Sequence, residues 1–185
     1  YLTNFLGNYA FISVSLYMVL IIVFTQFYME VREYIGPSVL ANFLTGRYHR
    51  PLQEDRIFMF LDMKSSTLIA EKLGHVQYFE LLRQYYADLS DSVLASEGEV
   101  YQYVGDEMVL SWEMEKGLRN NNCLQCFFSM KKALAMQNNF YQQNFGVMPG
   151  FKAGLHWGRV TTGEIGVLKK EIIFKSFSFN YFFLF

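Results

Sequence analysis

Cysteine is scarce in this sequence, since Cys123 and Cys126 are the only two among 185 residues. Their C-x-x-C spacing is weak evidence for a zinc site, because no second cysteine pair and no histidine pair supplies the remaining ligands. No strand pattern leads directly into the pair, as a thioredoxin-like redox motif would require. We therefore predict two buried helix cysteines in a reducing compartment.

Charged residues are absent from residues 11–28, which read FISVSLYMVLIIVFTQFY. A helix of about 18 residues rises roughly 27 Å, close to the hydrocarbon thickness of about 30 Å. A buried core helix is the alternative, but a soluble helix usually keeps a polar stripe, which this segment lacks. A signal peptide is disfavoured because no Lys or Arg precedes the segment and no small-residue cleavage site follows it. We predict a transmembrane helix within residues 1–31.

Lysine and arginine occur only after this helix, beginning with Arg32. This asymmetry predicts a cytoplasmic C-terminal side. The chain also lacks a basic stripe with interleaved aromatic residues, and its net charge is −1, so nucleic acid is not an expected partner. Its first residue is Tyr1 rather than Met, which suggests that further membrane helices precede it.

Residues 32–55 are predicted to connect the membrane helix to the main domain. Proline at Pro37 removes a hydrogen-bond donor and ends the first helix at Gly36. A short second helix is expected to follow and to end at Gly46, and the polar stretch RYHRPLQEDR then reads as a linker.

Residues 56–174 alternate strand and helix signals. Strands are predicted at residues 57–61, 100–104, 108–112, 151–156 and 159–165, and helices at 66–74, 75–95 and about 123–143. In the helix at 75–95, Phe79, Leu82, Tyr86 and Leu89 are predicted to lie on one side. The order βαββαβ predicts an α+β fold, namely a ferredoxin-like (palm-type) antiparallel sheet with helices on one face.

Two acidic residues stand where predicted strands give way to turns. Asp62 follows the apolar run at 57–61, and Asp106 occupies the turn Val104-Gly105-Asp106-Glu107. A crossover makes the second strand parallel to the first, so the hairpin after the second strand lies where the first one ends. Two converging carboxylates repel one another unless a cation neutralises them, and Mg²⁺ takes such oxygen ligands together with phosphates. We predict a metal site.

The segment Lys64-Ser65-Ser66-Thr67 follows the strand predicted at 57–61 and leads into a predicted helix. Free backbone N–H groups and the helix dipole at such a position favour a polyphosphate. A capping role for the hydroxyl groups is the alternative interpretation.

Three sequence blocks, FLDMKSST, EVYQYVGDEMVLSW and GLHWGRVTTGEIG, resemble successive blocks of class III nucleotidyl cyclases. The third block is the most specific. Its matching positions are Gly154, His156, Gly158, Gly163 and Gly166, with His156 expected to be structural, and Gly105 matches in the second block.

The resemblance implies an adenylate cyclase that converts ATP to cyclic AMP and pyrophosphate. It assigns two Mg²⁺ or Mn²⁺ ions to Asp62, Met63 and Asp106, with the two aspartates as the catalytic residues. It also implies a head-to-tail homodimer, or pairing with an intact chain, whose partner subunit recognises the base. A membrane helix before such a domain is similar to bacterial receptor-type cyclases, which implies an inner-membrane protein with a cytoplasmic catalytic domain and a transducer element at residues 36–46.

Two departures concern the purine. The position at which adenylate cyclases of this family carry lysine is Gln102, whose amide offers both a donor and an acceptor. The second base-selecting position falls at Ile173, whose side chain cannot form a hydrogen bond. Both residues would act across the dimer. The residues leave ATP and GTP open, and bacterial members of the family favour ATP.

A third departure is the Phe-rich end, residues 175–185, where the family continues into a helix with a catalytic Asn and Arg. We expect a truncated or out-of-frame end and low activity of this chain alone. A catalytically incomplete nucleotide-binding or dimerisation module of a membrane sensor is therefore one alternative. The other is a GGDEF-type diguanylate cyclase, which the Gly105-Asp106-Glu107 hairpin resembles but the glycine-rich third block disfavours.

Overall fold

The computed structural model describes residues 9–35, 51–165, 171–176 and 183–184. The chain divides into two compact units, Tyr1–His49 and Arg50–Phe185. The predicted transducer element at residues 36–46 lies outside the described residues, as do Gly166 and most of the Phe-rich tail.

The first unit contains one long helix, α1, which spans Tyr9–Ile35. Its segment Tyr9–Val31 is long and apolar enough to cross a membrane, and none of its most apolar window is buried in the protein. Two of its hydroxyl groups are satisfied within the helix, because Ser13 donates to the carbonyl of Ala10 and Thr25 to that of Ile21. Such internal hydrogen bonds suit a helix whose surroundings offer no polar partners.

The second unit is built on an antiparallel sheet. Its strands are β1 (Leu52–Met63), β2 (Glu99–Val104), β3 (Glu107–Glu113), β4 (Phe151–Ile165), β5 (Glu171–Ser176) and β6 (Phe183–Leu184). The strand order is β2-β3-β1-β4-β5, and β6 pairs with β4. The pairings among the described strands are all antiparallel. The predicted α+β antiparallel sheet is therefore confirmed, with β1 at its centre.

The helices of this unit are α2 (Ser66–Ala95), α3 (Met114–Leu118), α4 (Asn122–Met136) and α5 (Asn138–Phe145), with a 3-10 turn at Arg119–Asn121. Helix α2 contains a non-helical residue, Gly74, with φ 74° and ψ 167°. This break falls where the sequence predicts one helix to end and the next to begin. The helix predicted at 123–143 is wrong in one respect, because a break at Gln137 separates α4 from α5.

The core lies between the sheet and the helices. Alternate residues of β1 (Ile57, Met59, Leu61 and Met63) join one large cluster with Leu81, Tyr85 and Leu89 of α2 and with residues of α4. The opposite face of β1 contributes Phe58 to a small second cluster with Val109 and Val160, which belong to strands. Ile57, Phe58, Met59 and Leu61 are thus buried although they alternate between the two faces of β1, as a continuous apolar run predicts.

Packing defines three details of the fold, namely the buried side of α2, the extent of β4 and the state of the two cysteines. Phe79 is 68% exposed, because packing selects the neighbouring apolar stripe of α2 that contains Leu81, Tyr85 and Leu89. The two strands predicted at 151–156 and 159–165 are a single strand, because β1 begins at Leu52 and pairs along the whole length from Thr162 to Phe151. The prediction of buried, unbridged cysteines is confirmed, and burial raises the pKa of the Cys126 thiol to about 11.

Candidate active site at the end of the first strand

Asp62 and Asp106 come together at one end of the sheet. Asp62 pairs with Glu107, the first residue of β3, and Asp106 precedes Glu107 in the turn of the β2–β3 hairpin. Gly105 opens that turn with φ 62°, a conformation that glycine adopts without strain. The predicted convergence follows from this register.

Both carboxylates influence the same neighbouring tyrosine. Burial, followed by the negative charges of Asp106 and Asp62, raises the pKa of Tyr78, while a hydrogen bond with Ser66 lowers it. Tyr85 responds similarly, with burial as the largest cause of a raised pKa and Asp62 and Asp106 among the others. The two acids therefore form one region of negative potential against α2.

Sequence reasoning missed a third residue of this region, Lys152. It lies opposite Asp62 on β4, and its Nζ is 2.8 Å from Oδ2 of Asp62. The hydrogen bond and charge of Asp62 raise the pKa of Lys152. Both side chains are about half exposed, at 52% and 43%. The signal in the sequence was a lysine that interrupts the apolar residues Phe151 and Ala153 of a predicted strand.

The predicted phosphate-binding segment follows directly. The backbone N–H of Lys64 donates to the carbonyl of Gly150 at 2.8 Å, which ties the loop to the start of β4. Ser65 takes a left-handed conformation with φ 56° and makes no side-chain capping hydrogen bond in the described structure. Lys64, Ser65 and Thr67 are exposed, and Ser66 is half-buried. The first turn of α2 is therefore accessible to solvent, and Ser66, Asp62 and Asp106 all influence the same residue, Tyr78.

Met63 packs differently from the other predicted metal-contacting residues. Its side chain is 2% exposed and belongs to the core. A contact between this residue and a metal ion would have to come from its backbone.

The two predicted base-recognition residues lie on the outermost strands of the strand order. Gln102 is an exposed residue of β2, next to a register shift, and pairs with Val109. Ile173 belongs to β5 and pairs with Gly163. Strands β3, β1 and β4 separate them, so a single chain does not place them on neighbouring strands.

The glycine-rich block forms most of β4. Gly154 and His156 pair with Phe60 and Phe58, and Gly158 pairs with Arg56. A Cβ atom on Gly163 would contact Pro51 at 3.5 Å, an ordinary separation. His156 also borders an apolar cavity of about 450 Å³ that includes Ile57 and Cys123. His156 pairs with Phe58, four residues before Asp62 on β1, so His156 is not part of the acid region.

No group of three or more His, Cys, Asp or Glu side chains is arranged to hold a metal ion within residues 9–35, 51–165, 171–176 and 183–184. The two aspartates nevertheless fit a divalent cation that brings its own phosphate ligands, because such a cation needs few protein ligands. Asp62 already holds a cationic group, the Lys152 ammonium, at 2.8 Å.

Comparison with known proteins gives consistent results. The chain is 35% identical over 148 residues to "Adenylate cyclase 2" of Rhizobium meliloti (strain 1021), an alignment that covers 80% of this chain and 41% of that protein. It therefore spans about two-fifths of that relative's length. No family model matches the chain.

Solved structures show the same fold at low sequence identity. A bacterial light-regulated adenylyl cyclase aligns with a TM-score of 0.73 and 20% identity over 92% of this chain and 51% of its own. The guanylyl cyclase Cya2 aligns with a TM-score of 0.61 and 17% identity over 68% of this chain and 66% of its own. Adenylyl and guanylyl cyclases thus share this fold, and the fold by itself does not select the purine.

Proposed function

We propose that this chain, which has the fold of a class III nucleotidyl cyclase catalytic domain, is part of an adenylate cyclase that converts ATP to cyclic AMP and pyrophosphate. The observation that carries the proposal is the convergence of Asp62 and Asp106 beside the open first turn of α2. Sequence similarity to "Adenylate cyclase 2" supports ATP as the substrate.

Asp62 and Asp106 would hold two Mg²⁺ or Mn²⁺ ions, together with the backbone of Met63. Bound there, the ions would supply Lewis-acid stabilisation of charge at the α-phosphate and activation of the ribose 3′-hydroxyl. Asp62 is anchored by backbone pairing near the end of β1, and Asp106 stands in the turn between the paired residues Val104 and Glu107. The metal half of the site therefore lies at one end of the sheet.

The triphosphate would lie against the first turn of α2, where Lys64, Ser65, Ser66 and Thr67 stand. Free N–H groups and the positive end of the helix dipole favour phosphate oxygens at this position. When a cation binds Asp62, Lys152 would release Asp62 and bind a phosphate group instead. A half-exposed lysine can make this exchange at little cost, since its chain is flexible and solvated.

Recognition of the base and formation of the dimer are proposed from the resemblance to class III nucleotidyl cyclases. Gln102 and Ile173 would act from the partner subunit of a homodimer, or from this chain when it pairs with an intact cyclase chain. Helix α1 would anchor the protein in the bacterial inner membrane, with residues 32–55 as transducer and linker and the catalytic domain in the cytoplasm. Its length and apolar surface support that role.

A binding experiment with the full chain in detergent tests the metal half. ATP binding should depend on Mn²⁺, and Asp62→Ala or Asp106→Ala should weaken it by at least about tenfold, since metal ligands and their partners contribute on that scale. Asp91→Ala is the matched control, because Asp91 is an exposed acid on α2. Unchanged affinity in both site variants would refute the metal assignment.

Product analysis tests the reaction. The chain is incubated with Mn²⁺ and either ATP or GTP, alone and mixed with an intact cyclase chain. Cyclic AMP from ATP that disappears in Asp106→Ala supports the proposal. Cyclic GMP or cyclic di-GMP from GTP would replace it with a different cyclase, and binding without product in both arms would favour the non-catalytic module.

A further inference from the structure

The turn that carries Asp106 is contacted from α2 by one tyrosine hydroxyl. Tyr86 Oη lies 2.8 Å from the carbonyl oxygen of Gly105 and 3.4 Å from that of Glu107. These two carbonyl groups flank Asp106 in the chain. A single hydroxyl therefore reaches the backbone on both sides of the predicted metal ligand.

The ring of Tyr86 reinforces this contact. It lies 4.6 Å from the ring of Tyr103, which belongs to β2 and precedes the turn. The ring centroids are at a distance typical of favourable aromatic pairs. Tyr86 thus holds the hairpin by its ring on one strand and by its hydroxyl at the turn.

Strand pairing holds the two residues that border this turn, because Val104 and Glu107 pair with one another. Gly105 has φ 62°, and a Cβ atom built there would find nothing within 4 Å, so the turn projects into open space. A glycine at such a position has the largest conformational freedom of any residue. The position of Asp106 therefore depends on contacts made by its flanking backbone.

We propose that Tyr86 is a positioning residue that fixes the Asp106 turn in the geometry needed for metal binding. The inference rests on the proposed function, because it assigns Asp106 to a metal ion. Tyr86 acts through the backbone and does not itself touch the metal or the substrate.

The neighbouring residue supplies a matched control. Tyr85 is 1% exposed, and its hydroxyl has no hydrogen-bond partner among the described residues. Tyr85→Phe and Tyr86→Phe therefore remove the same atom from adjacent positions of one helix, and only the second removes a contact with the turn.

Hydrogen–deuterium exchange of the full chain measures the turn directly. Tyr86→Phe should speed exchange in the peptide that contains residues 103–108, whereas Tyr85→Phe should leave that peptide unchanged. Equal exchange in wild type and Tyr86→Phe would overturn the proposal whether or not the chain binds nucleotide, because it would show that the hydroxyl does not hold the turn.

Titration with Mn²⁺ at fixed ATP measures the consequence for Asp106. Tyr86→Phe should raise the apparent Mn²⁺ dissociation constant by about three- to tenfold, as loss of a hydrogen bond of ordinary strength would. Metal-free ATP binding should stay unchanged, which a general loss of structure would not allow. A shift of the same size in Tyr85→Phe, or none in Tyr86→Phe, would refute the positioning role.

The two proposals fail in different ways. A wild-type chain without Mn²⁺-dependent binding would refute the proposed function and the metal part of this inference, while the exchange experiment would still decide whether Tyr86 holds the turn. Wild-type binding that is lost in Asp106→Ala but unaffected in Tyr86→Phe would keep the function and refute the inference.

Discussion

The two ends of β1 each carry an ion pair, but the pairs differ in burial. At the end near Leu52, Arg56 is 1% exposed and contacts Glu54 at 3.2 Å and Glu99 at 2.6 Å. It also donates to Ser111, and Thr162 donates to Glu54, so this network joins β1 to β2, β3 and β4. At the other end, Asp62 and Lys152 meet at 2.8 Å with both side chains about half exposed.

This difference in burial distinguishes a structural ion pair from one whose acid is accessible to other cations. The buried charge of Arg56 is held by several hydrogen bonds that join four strands, and removal of a partner from a buried charge is costly. The exposed pair at Asp62 exchanges its partners with solvent and ions at little cost. One strand thus combines a buried network with two exposed acids, Asp55 beside Arg159 and Asp62 beside Lys152, and Asp62 is the one that stands next to the Asp106 turn.

The largest expected effect breaks the buried end. Arg56→Met removes the buried cation that contacts Glu54 and Glu99 and should lower the free energy of unfolding by about 3 to 5 kcal/mol. Chemical denaturation followed by circular dichroism measures it.

Arg83→Met is the control for this change. Its pair with Glu80 is exposed on α2, so its effect should stay within about 0.5 kcal/mol. Equal losses in the two variants would mean that burial does not distinguish the pairs.

A smaller effect should appear at the open end. Lys152→Met removes the cation that competes for Asp62, so Mn²⁺ affinity without nucleotide should rise by about two- to fivefold, the range of exposed ion pairs. Affinity for Mn²⁺-ATP should fall, because a phosphate partner is lost.

Opposite signs in these two titrations are the result that matters for Lys152→Met. Lys132→Met, an exposed lysine on α4, should change neither affinity. Parallel losses in both titrations would argue against the exchange of partners by Lys152.

The smallest expected effect is a loss of stability at alkaline pH, and it concerns two tyrosines near Asp106. Burial is the largest cause that raises the pKa of Tyr85 and Tyr86 above the ordinary value of 10.0, and Asp106 contributes to both. Below that pH both tyrosines are protonated in the folded and unfolded states, so their contribution to stability is complete. Above it the unfolded chain loses protons that the folded chain keeps, so stability falls as pH rises further.

Melting temperature measured from pH 8 to pH 11, with tyrosinate absorbance recorded in parallel, tests this expectation. Tyr85→Phe should flatten the decline above the ordinary tyrosine pKa. It should also raise stability at neutral pH by about 1 kcal/mol, because it removes a buried hydroxyl that has no partner in the described structure. A decline of equal slope in Tyr85→Phe would place the sensitive groups elsewhere.

Local patterns predicted much of this arrangement. The apolar run before Asp62, the Gly105-Asp106 turn and the break at Gly74 each depend on neighbours in the chain, and the structure has them where the sequence indicates. The assignment of Asp62 and Asp106 to a metal ion stays a prediction.

Other features could not be predicted from the sequence, because they depend on residues that are distant along the chain. The stretch that ends at Arg56 is polar and is typical of a linker, yet its last residues, from Leu52, extend β1, and Arg56 is buried. The strands predicted on either side of Trp157 and Gly158 are one strand, because pairing with the extended β1 continues through both residues. Phe79 fits the apolar period of α2, and packing selected the adjacent stripe.

Local periodicity and turn chemistry are enough to predict that two acids stand where strands end and that a glycine turn presents one of them. Which charges are buried and which are exposed depends on the tertiary structure. Antiparallel register placed Lys152 opposite Asp62 and Glu99 beside Arg56, and α2 placed the hydroxyl of Tyr86 at the Asp106 turn. The physical reason is that the partner and the burial of a charge follow from long-range pairing, which no local pattern encodes.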